Sequence, residues 1–99
     1  MDRKLTKSIL QDEKECFFCK TTLNLHRHHC FGGTGNRKIS DQDGCVVYLC
    51  ASHHTGAKGV HHNRELDLKL KRICERAWLE YYDKTIDDFI RRYSKNYLL

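Results

Sequence analysis

The clearest apolar pattern lies in the last third of the chain, where apolar residues recur at helical spacing. Four of them lie at offsets of zero, four, seven and eleven residues, and two aromatic residues extend the same face: Leu66, Leu70, Ile73 and Ala77, then Trp78 and Tyr81. Asn63 is a suitable N-cap, and the helix dipole favours the negative charges of Glu65 and Asp67 in a first turn. The pattern predicts a helix over 63–82.

A second amphipathic segment follows the short connection Asp83-Lys84. The run from Thr85 to Asp88 is similar to a capping box. In this motif the hydroxyl of the N-cap residue and the acidic side chain three residues later each accept a hydrogen bond from the other residue's backbone N–H. The apolar side of this segment consists of Ile86, Phe89, Ile90 and Tyr93. We therefore expect a second C-terminal helix that begins after Thr85.

The chain before His62 has only short apolar runs, broken by glycines. The segment Leu23-Asn24-Leu25 leads into a short strand that carries histidines, and Cys45 to Leu49 is β-branched and aromatic, as strands are. The dipeptide Asp43-Gly44 is a turn signal, and the glycine-rich run 31–36 predicts a loop without a regular element.

The first fifteen residues leave two interpretations open. They form either one helix around Leu5, Ile9 and Leu10 or a frayed tail. Histidine 53 could open a short helix, which Gly56 and Gly59 would end quickly.

Length and composition exclude several classes of protein. A chain of 99 residues has room for one core, and 39% hydrophobic with 31% charged residues is atypical of a disordered chain. The apolar run Val46 to Leu49 is far shorter than the roughly 20 residues of a membrane-spanning helix. The first fifteen residues lack the apolar stretch of a secretion signal, so we expect an intracellular, cytoplasmic protein.

Six cysteines and seven histidines are the unusual feature of the composition. All the histidines and five of the cysteines lie between Cys16 and His62. A reducing cytosol disfavours disulfides, and disulfides would not explain the histidines, whereas metal binding explains both. Cys30 and Cys74 are interpreted instead as small buried apolar residues.

Two ligand pairs predict a structural zinc site. Cys16 and Cys19 are separated by two residues, as are Cys50 and His53, and two such pairs complete a closed tetrahedral site. Three alternatives stay open: Cys50 is only a buried thiol, a histidine among residues 26–29 replaces His53, or the first pair is a redox motif.

The remaining histidines predict a second, open metal site. His28 and His29 would face opposite ways on a strand, so one can bind metal while the other approaches a substrate. One of this pair, His54, and either His61 or His62 would supply three ligands, which leaves positions free for catalysis. The plainer interpretation is that these histidines are structural or are alternative ligands of one zinc. His26 would then lie at the surface or contact a metal ligand without binding the metal itself.

Four features, taken in order along the chain, resemble those of the HNH endonucleases. They are Cys-x2-Cys, a histidine pair, a glycine-rich loop and an apolar strand that ends in Leu-Cys-x2-His-His. The resemblance covers about residues 8–82 and is nearest in kind to small phage-encoded HNH proteins, with segments such as LHRHHCFGGTGNRKIS and LCASHHTGAKGVH. It implies an α+β fold, a zinc-stabilised treble-clef or ββα-metal core with C-terminal helices. The expected single domain, 1–99, has an N-terminal helix or tail (1–15), a metal-binding core (16–62) and C-terminal helices (63–99).

Carried over by position, the resemblance implies a role for each histidine of the second site. It makes His28, His54 and His61 the ligands of the catalytic metal and His29 the general base that activates water. Asn36 would lie near a loop between the two strands with two basic residues, Arg37 and Lys38, which would contact the substrate phosphate.

The chain departs from the HNH pattern at one position. Many HNH proteins have a loop-bracing asparagine five residues before the second-pair cysteine, where this chain has Cys45. Either Asn36 or Asp43 takes over that role, or the loop is looser.

The charge fits a nucleic-acid partner. The net charge is +5, and between Lys20 and His62 there are five basic and two acidic residues. Four basic residues form either a stripe that tracks phosphates or an ordinary solvated face: Lys69, Lys71, Arg72 and Arg76.

The resemblance implies a metal-dependent endonuclease that hydrolyses DNA phosphodiesters. Its cofactors would be structural Zn²⁺ and a catalytic Mg²⁺, Mn²⁺, Ni²⁺ or Zn²⁺. Its partners would be DNA and other phage or host DNA-processing proteins in a phage-infected or prophage-carrying bacterium. The rival prediction is a non-catalytic zinc module that binds nucleic acid or protein.

Overall fold

A two-stranded sheet and four helices make up the α+β fold, which we describe from a computed structural model for residues 7–33 and 35–98. The elements in chain order are β1 (Leu25–His29), α1 (Asn36–Asp43), β2 (Val46–Cys50), α2 (Ala51–His54), α3 (Arg64–Tyr81) and α4 (Ile86–Tyr93). None of the helices in this part of the chain is long and apolar enough to span a membrane.

The sheet is an antiparallel pair whose register positions the histidines. β1 pairs with β2 so that Leu25 lies opposite Cys50 and His28 opposite Val47. The Cys30 N–H donates to the Cys45 carbonyl at 2.9 Å, which continues the pairing one step beyond the strands. Because strand side chains alternate between faces, His28 is buried while His29 is only partly so.

The connection between the strands contains a helix that the sequence analysis missed. We expected a loop over 31–36 and placed Arg37 and Lys38 near it, but α1 begins at Asn36 and both basic residues lie in its first turn. The helix has few apolar residues, so it has no apolar face in the sequence that would predict it.

The predicted turn at Asp43-Gly44 is the C-terminal end of α1. Gly44 has the left-handed conformation, with φ of 77°, and its N–H bonds back to the helix. A Cβ at this position would lie 2.4 Å from the Lys7 carbonyl oxygen, so the close approach of the N-terminal segment also requires glycine.

Strand and helix boundaries elsewhere agree closely with the pattern. The second strand starts one residue later than the predicted 45–49. The Asn63 side chain caps α3 by accepting from the Leu66 N–H at 3.2 Å, and Thr85 and Asp88 form the full capping box of α4. These two caps are confirmed.

The N-terminal segment is not helical over residues 7–15. Ile9 and Leu10 pack against the core instead, and the Ile9 N–H donates to the Gly44 carbonyl at 2.9 Å. The remainder of the predicted N-terminal helix or tail, including Leu5, lies outside the described residues.

Asp43, the last residue of α1, joins this helix to the two C-terminal helices. This buried carboxylate accepts from Trp78 Nε1 at 2.8 Å, from the Tyr93 hydroxyl at 2.9 Å and from Arg92 at 2.5 and 2.6 Å. Asn36 also reaches α4, since its Nδ2 donates to the Tyr93 carbonyl at 3.0 Å. Both candidates for the bracing role therefore contact the C-terminal helices, while Cys45 is buried beside them.

A buried carboxyl group in α3 gives a pH-dependent prediction. Glu75 is fully buried; its Oε1 accepts from the Tyr97 N–H at 2.7 Å, and its Oε2 has no partner among the described residues. Burial raises its pKa above the ordinary value. The charged form is thus disfavoured in the fold, and stability falls as pH rises from the unfolded pKa through the raised folded pKa.

We expect Glu75→Gln to gain stability relative to the wild type as pH rises from about 4 to 8. Urea unfolding of both proteins at several pH values measures the difference, with the exposed Glu80→Gln as a matched control. A difference that stays constant over this range would show that Glu75 ionises as readily in the fold as in the unfolded chain.

Candidate metal centres

Four predicted ligands, two from each pair, come together at one end of the sheet. They are Cys16, Cys19, Cys50 and His53, and one ligand atom from each lies within 4.8 Å of the others. His53 Nδ1 lies 3.2 Å from Cys50 Sγ and 3.6 Å from Cys16 Sγ, and the Cys19 and Cys50 sulfurs are 3.7 Å apart. Cys50 is therefore part of a cluster and not only a buried thiol.

Local backbone geometry explains why the first pair can share a ligand set. The Lys20 N–H donates to the Cys16 carbonyl at 2.9 Å, and the Cys16 N–H donates to the Thr21 carbonyl at 2.8 Å. Lys20 takes the left-handed conformation with φ of 67°, which closes the turn. The two residues of the second pair lie close together because β2 ends at Cys50 and α2 starts at the next residue. The first turn of α2 then brings His53 back towards Cys50.

The surroundings of Cys16 favour its thiolate, the form of cysteine that binds metal. Burial opposes the charge on Cys16, but hydrogen bonds from the backbone of Cys19, Cys50 and Phe18 outweigh it and lower the pKa of Cys16 to about 6. A set of three cysteines and one histidine matches the chemistry of structural zinc, so this cluster could hold a metal ion such as zinc.

A second cluster consists of His28, His54 and His61. One ring nitrogen from each lies within 4.8 Å of the others, and His54 Nε2 is 3.0 Å from His61 Nε2. The ring of His28 lies 5.2 Å from that of His54 and 5.6 Å from that of His61. Three of the histidines to which the resemblance gives roles therefore converge, and His62 stays exposed outside the cluster.

The chain folds back after α2 to bring the third histidine into place. The Val60 N–H donates to the His53 carbonyl at 2.8 Å, and the His61 N–H donates to the His54 carbonyl at 3.2 Å. A Cβ on Gly59 would lie 2.7 Å from the carbonyl carbon of His53, so this return needs a residue without a side chain. The two ligands thus meet across a glycine turn and not along one helix.

His28 has the burial, the unpartnered ring nitrogen and the neutral charge expected of a metal ligand. It is 9% exposed, and its Nε2 is buried with no hydrogen-bond partner among the described residues. Burial, followed by the neighbouring His54 and His61, lowers its pKa to about 3. The ring is therefore neutral, as a metal ligand must be, and an unsatisfied buried nitrogen would cost about 1–3 kcal/mol. The site fits a cation bound by three imidazoles.

His29 lies beside this cluster and is not part of it. Its Nε2 lies 3.6 Å from Asp41 Oδ1, and the same carboxylate also pairs with Arg27. Burial and the nearby Arg27 charge lower the pKa of His29, while Asp41 opposes them. His29 thus shares the Asp41 carboxylate with Arg27, and its lowered pKa favours the neutral ring.

One open cavity of about 740 Å³ connects these residues. Its lining includes all four histidines and three basic side chains: His28, His29, His54, His61, Arg27, Arg37 and Lys71. Lys38 is exposed on α1 and is not among the lining residues, so the structure separates it from Arg37.

Sequence reasoning gave no role in this site to Asp67, which lines the cavity, or to Asp41, which lies beside His29. Lys71 belongs to the basic stripe, yet it lines the cavity and pairs with Asp67 at 2.8 Å, whereas Arg72 donates to the Tyr97 carbonyl. Asp67 and Lys71 lie four residues apart, a spacing typical of an ion pair on a helix, whereas Asp41 had no local signal in the sequence.

No protein-family model, no curated protein and no solved structure matches this chain. The two clusters are therefore the features from which a function can be proposed.

Proposed function

We propose that this protein is a metal-dependent endonuclease of the HNH type that hydrolyses phosphodiester bonds in DNA. One observation supports the proposal above all: three histidines converge on a cavity, and a fourth, His29, borders the same cavity without joining them. Three ligands leave coordination positions for a substrate, and the spare imidazole is placed to act on a water molecule.

The histidines and Asp41 would have separate roles in the reaction. A divalent ion held by His28, His54 and His61, whether Mg²⁺, Mn²⁺, Ni²⁺ or Zn²⁺, would polarise the phosphate and stabilise the leaving oxygen. His29 is neutral and so can accept a proton from the attacking water. Asp41 Oδ1 lies 3.6 Å from Nε2 of His29, where it would orient the imidazole and stabilise the imidazolium that forms.

The cavity also supplies positive charge for a phosphate backbone. Arg37 is exposed in the first turn of α1, which has no acidic residue, and it lines the cavity with Lys71. The net charge of +5 adds long-range attraction to DNA. Contacts of this kind are made to phosphates, so we expect strongly salt-dependent binding with weak sequence preference.

The cysteine-rich cluster has a scaffolding role in this proposal. Three cysteines and one histidine fill all four positions of a tetrahedral zinc site, and a filled site has no place for a substrate. The zinc would fix α2 against the end of β2, and α2 carries His54 to the catalytic site.

Incubation of the protein with supercoiled plasmid tests the proposal. We expect nicked and linear products with at least one of the four divalent ions, and a loss of at least about 100-fold in rate in His29→Ala. His62→Ala, which removes an exposed histidine outside both clusters, is expected to cut at the wild-type rate.

Binding of plasmid without cleavage under every metal would contradict the endonuclease and favour a non-catalytic zinc module. Cleavage that survives in His29→Ala would contradict the role of that histidine as the general base.

A further inference from the structure

We propose that His26 is a positioning residue for the second metal centre, a proposal that rests on the three-histidine site described above. His26 Nδ1 lies 2.8 Å from His54 Nδ1, within hydrogen-bond distance. The two rings meet edge to face with centroids 4.9 Å apart. His54 is thus engaged at both nitrogens, since its Nε2 faces His61 at 3.0 Å.

The direction of this hydrogen bond follows from metal binding. A nitrogen that binds a cation must be unprotonated, so a neutral His54 that binds through Nε2 carries its proton on Nδ1. That Nδ1–H can donate only to an acceptor, which is the Nδ1 of His26 with its own proton on Nε2. His26 therefore selects the tautomer of His54 that presents Nε2 to the ion.

His54 depends on such a partner more than His28 does. It is the last residue of a four-residue helix, and the segment after it contains Gly56 and Gly59. His26 lies within the paired part of β1, opposite Leu49, and its ring contacts His54 from the sheet. Residues 26 and 28 lie on the same face of the strand, so one strand supplies both a ligand and the residue that orients another ligand.

His26 is not placed to act as a fourth ligand. It lies at the Nδ1 edge of His54, whereas His61 meets the same ring at its Nε2 edge, and the group within 4.8 Å consists of His28, His54 and His61. Its exposed position also makes it a mild site for substitution, because no buried core contact is lost.

Titration with Co²⁺ of the full chain, with zinc already in the cysteine cluster, tests the proposal through the visible absorption of the second site. His26→Phe keeps an aromatic ring but removes the acceptor, and we expect it to weaken Co²⁺ binding by about 10–100-fold. His26→Asn places an amide oxygen near the position of Nδ1 and is expected to restore most of the affinity. His62→Phe is the matched control and should bind as the wild type does.

The spectrum at saturation separates positioning from ligation. Identical saturated spectra in the wild type and in His26→Phe support positioning, whereas a changed spectrum makes His26 a ligand and overturns the proposal. Unchanged affinity in His26→Phe, or no recovery in His26→Asn, also overturns it. A wild type that binds no Co²⁺ beyond its zinc would refute the second metal centre itself, while Co²⁺ binding without plasmid cleavage would refute only the nuclease.

Discussion

Cys50→Ser is expected to leave the chain largely unfolded at 25 °C, with no tightly bound zinc. Cys50 ends β2 and lies 3.2 Å from His53 Nδ1 and 3.7 Å from Cys19 Sγ, so its loss opens the cluster. A structural zinc contributes about 10 kcal/mol of apparent folding free energy, which is comparable to the whole stability of a domain of this size. Native mass spectrometry and circular dichroism measure the zinc content and the fold.

Cys74→Ser is the matched control, because Cys74 is also buried but lies outside both clusters. It is expected to keep one zinc per chain and to lose only the stability that a buried polar substitution costs. A Cys50→Ser protein that retains zinc and unfolds at the same temperature as Cys74→Ser would show that Cys50 is only a buried thiol.

Asp43→Ala is expected to lower the free energy of unfolding by about 3 kcal/mol. The substitution leaves Trp78 Nε1 and the Tyr93 hydroxyl without their buried acceptor. Arg92 loses its partner as well, but its side chain is 40% exposed and can turn to solvent, so its share of the loss is smaller. Urea unfolding of the zinc-loaded protein measures the change.

Asp12→Ala provides the comparison for the loss of one carboxylate at the surface. The Asp12 side chain is 88% exposed and pairs loosely with Lys7, so we expect a change within about 0.5 kcal/mol. If Asp43→Ala were no more destabilising than Asp12→Ala, the carboxylate would not be what joins α1 to α3 and α4.

The C-terminal helices could be predicted because their signals are local. The spacing from Leu66 to Ala77 sets one face of α3, and the caps at Asn63 and Thr85 each depend on a residue within three positions. The proposed ligands could also be grouped into two sets, since a two-residue gap or a strand end places side chains together whatever surrounds them.

The first helix could not be predicted in the same way. α1 has a glycine N-cap without a side-chain hydrogen bond, and the residues of its first turn are all polar, so neither periodicity nor capping reveals it. Tertiary hydrogen bonds hold α1 in place. The Ser40 hydroxyl donates to the Phe31 carbonyl, and the Asp43 carboxylate accepts from side chains of α3 and α4. The placement of Asp41 beside His29 follows from this helix and was equally hidden.

His53 and His54 are neighbours in one short helix, yet each belongs to a different cluster. A strong chelator that strips the first ion would release the backbone that carries the second ligand set. Inhibition by such a reagent would therefore say nothing about which ion cleaves the substrate. Recovery would require zinc to be returned first, and only then would adding a second ion identify the one that supports turnover.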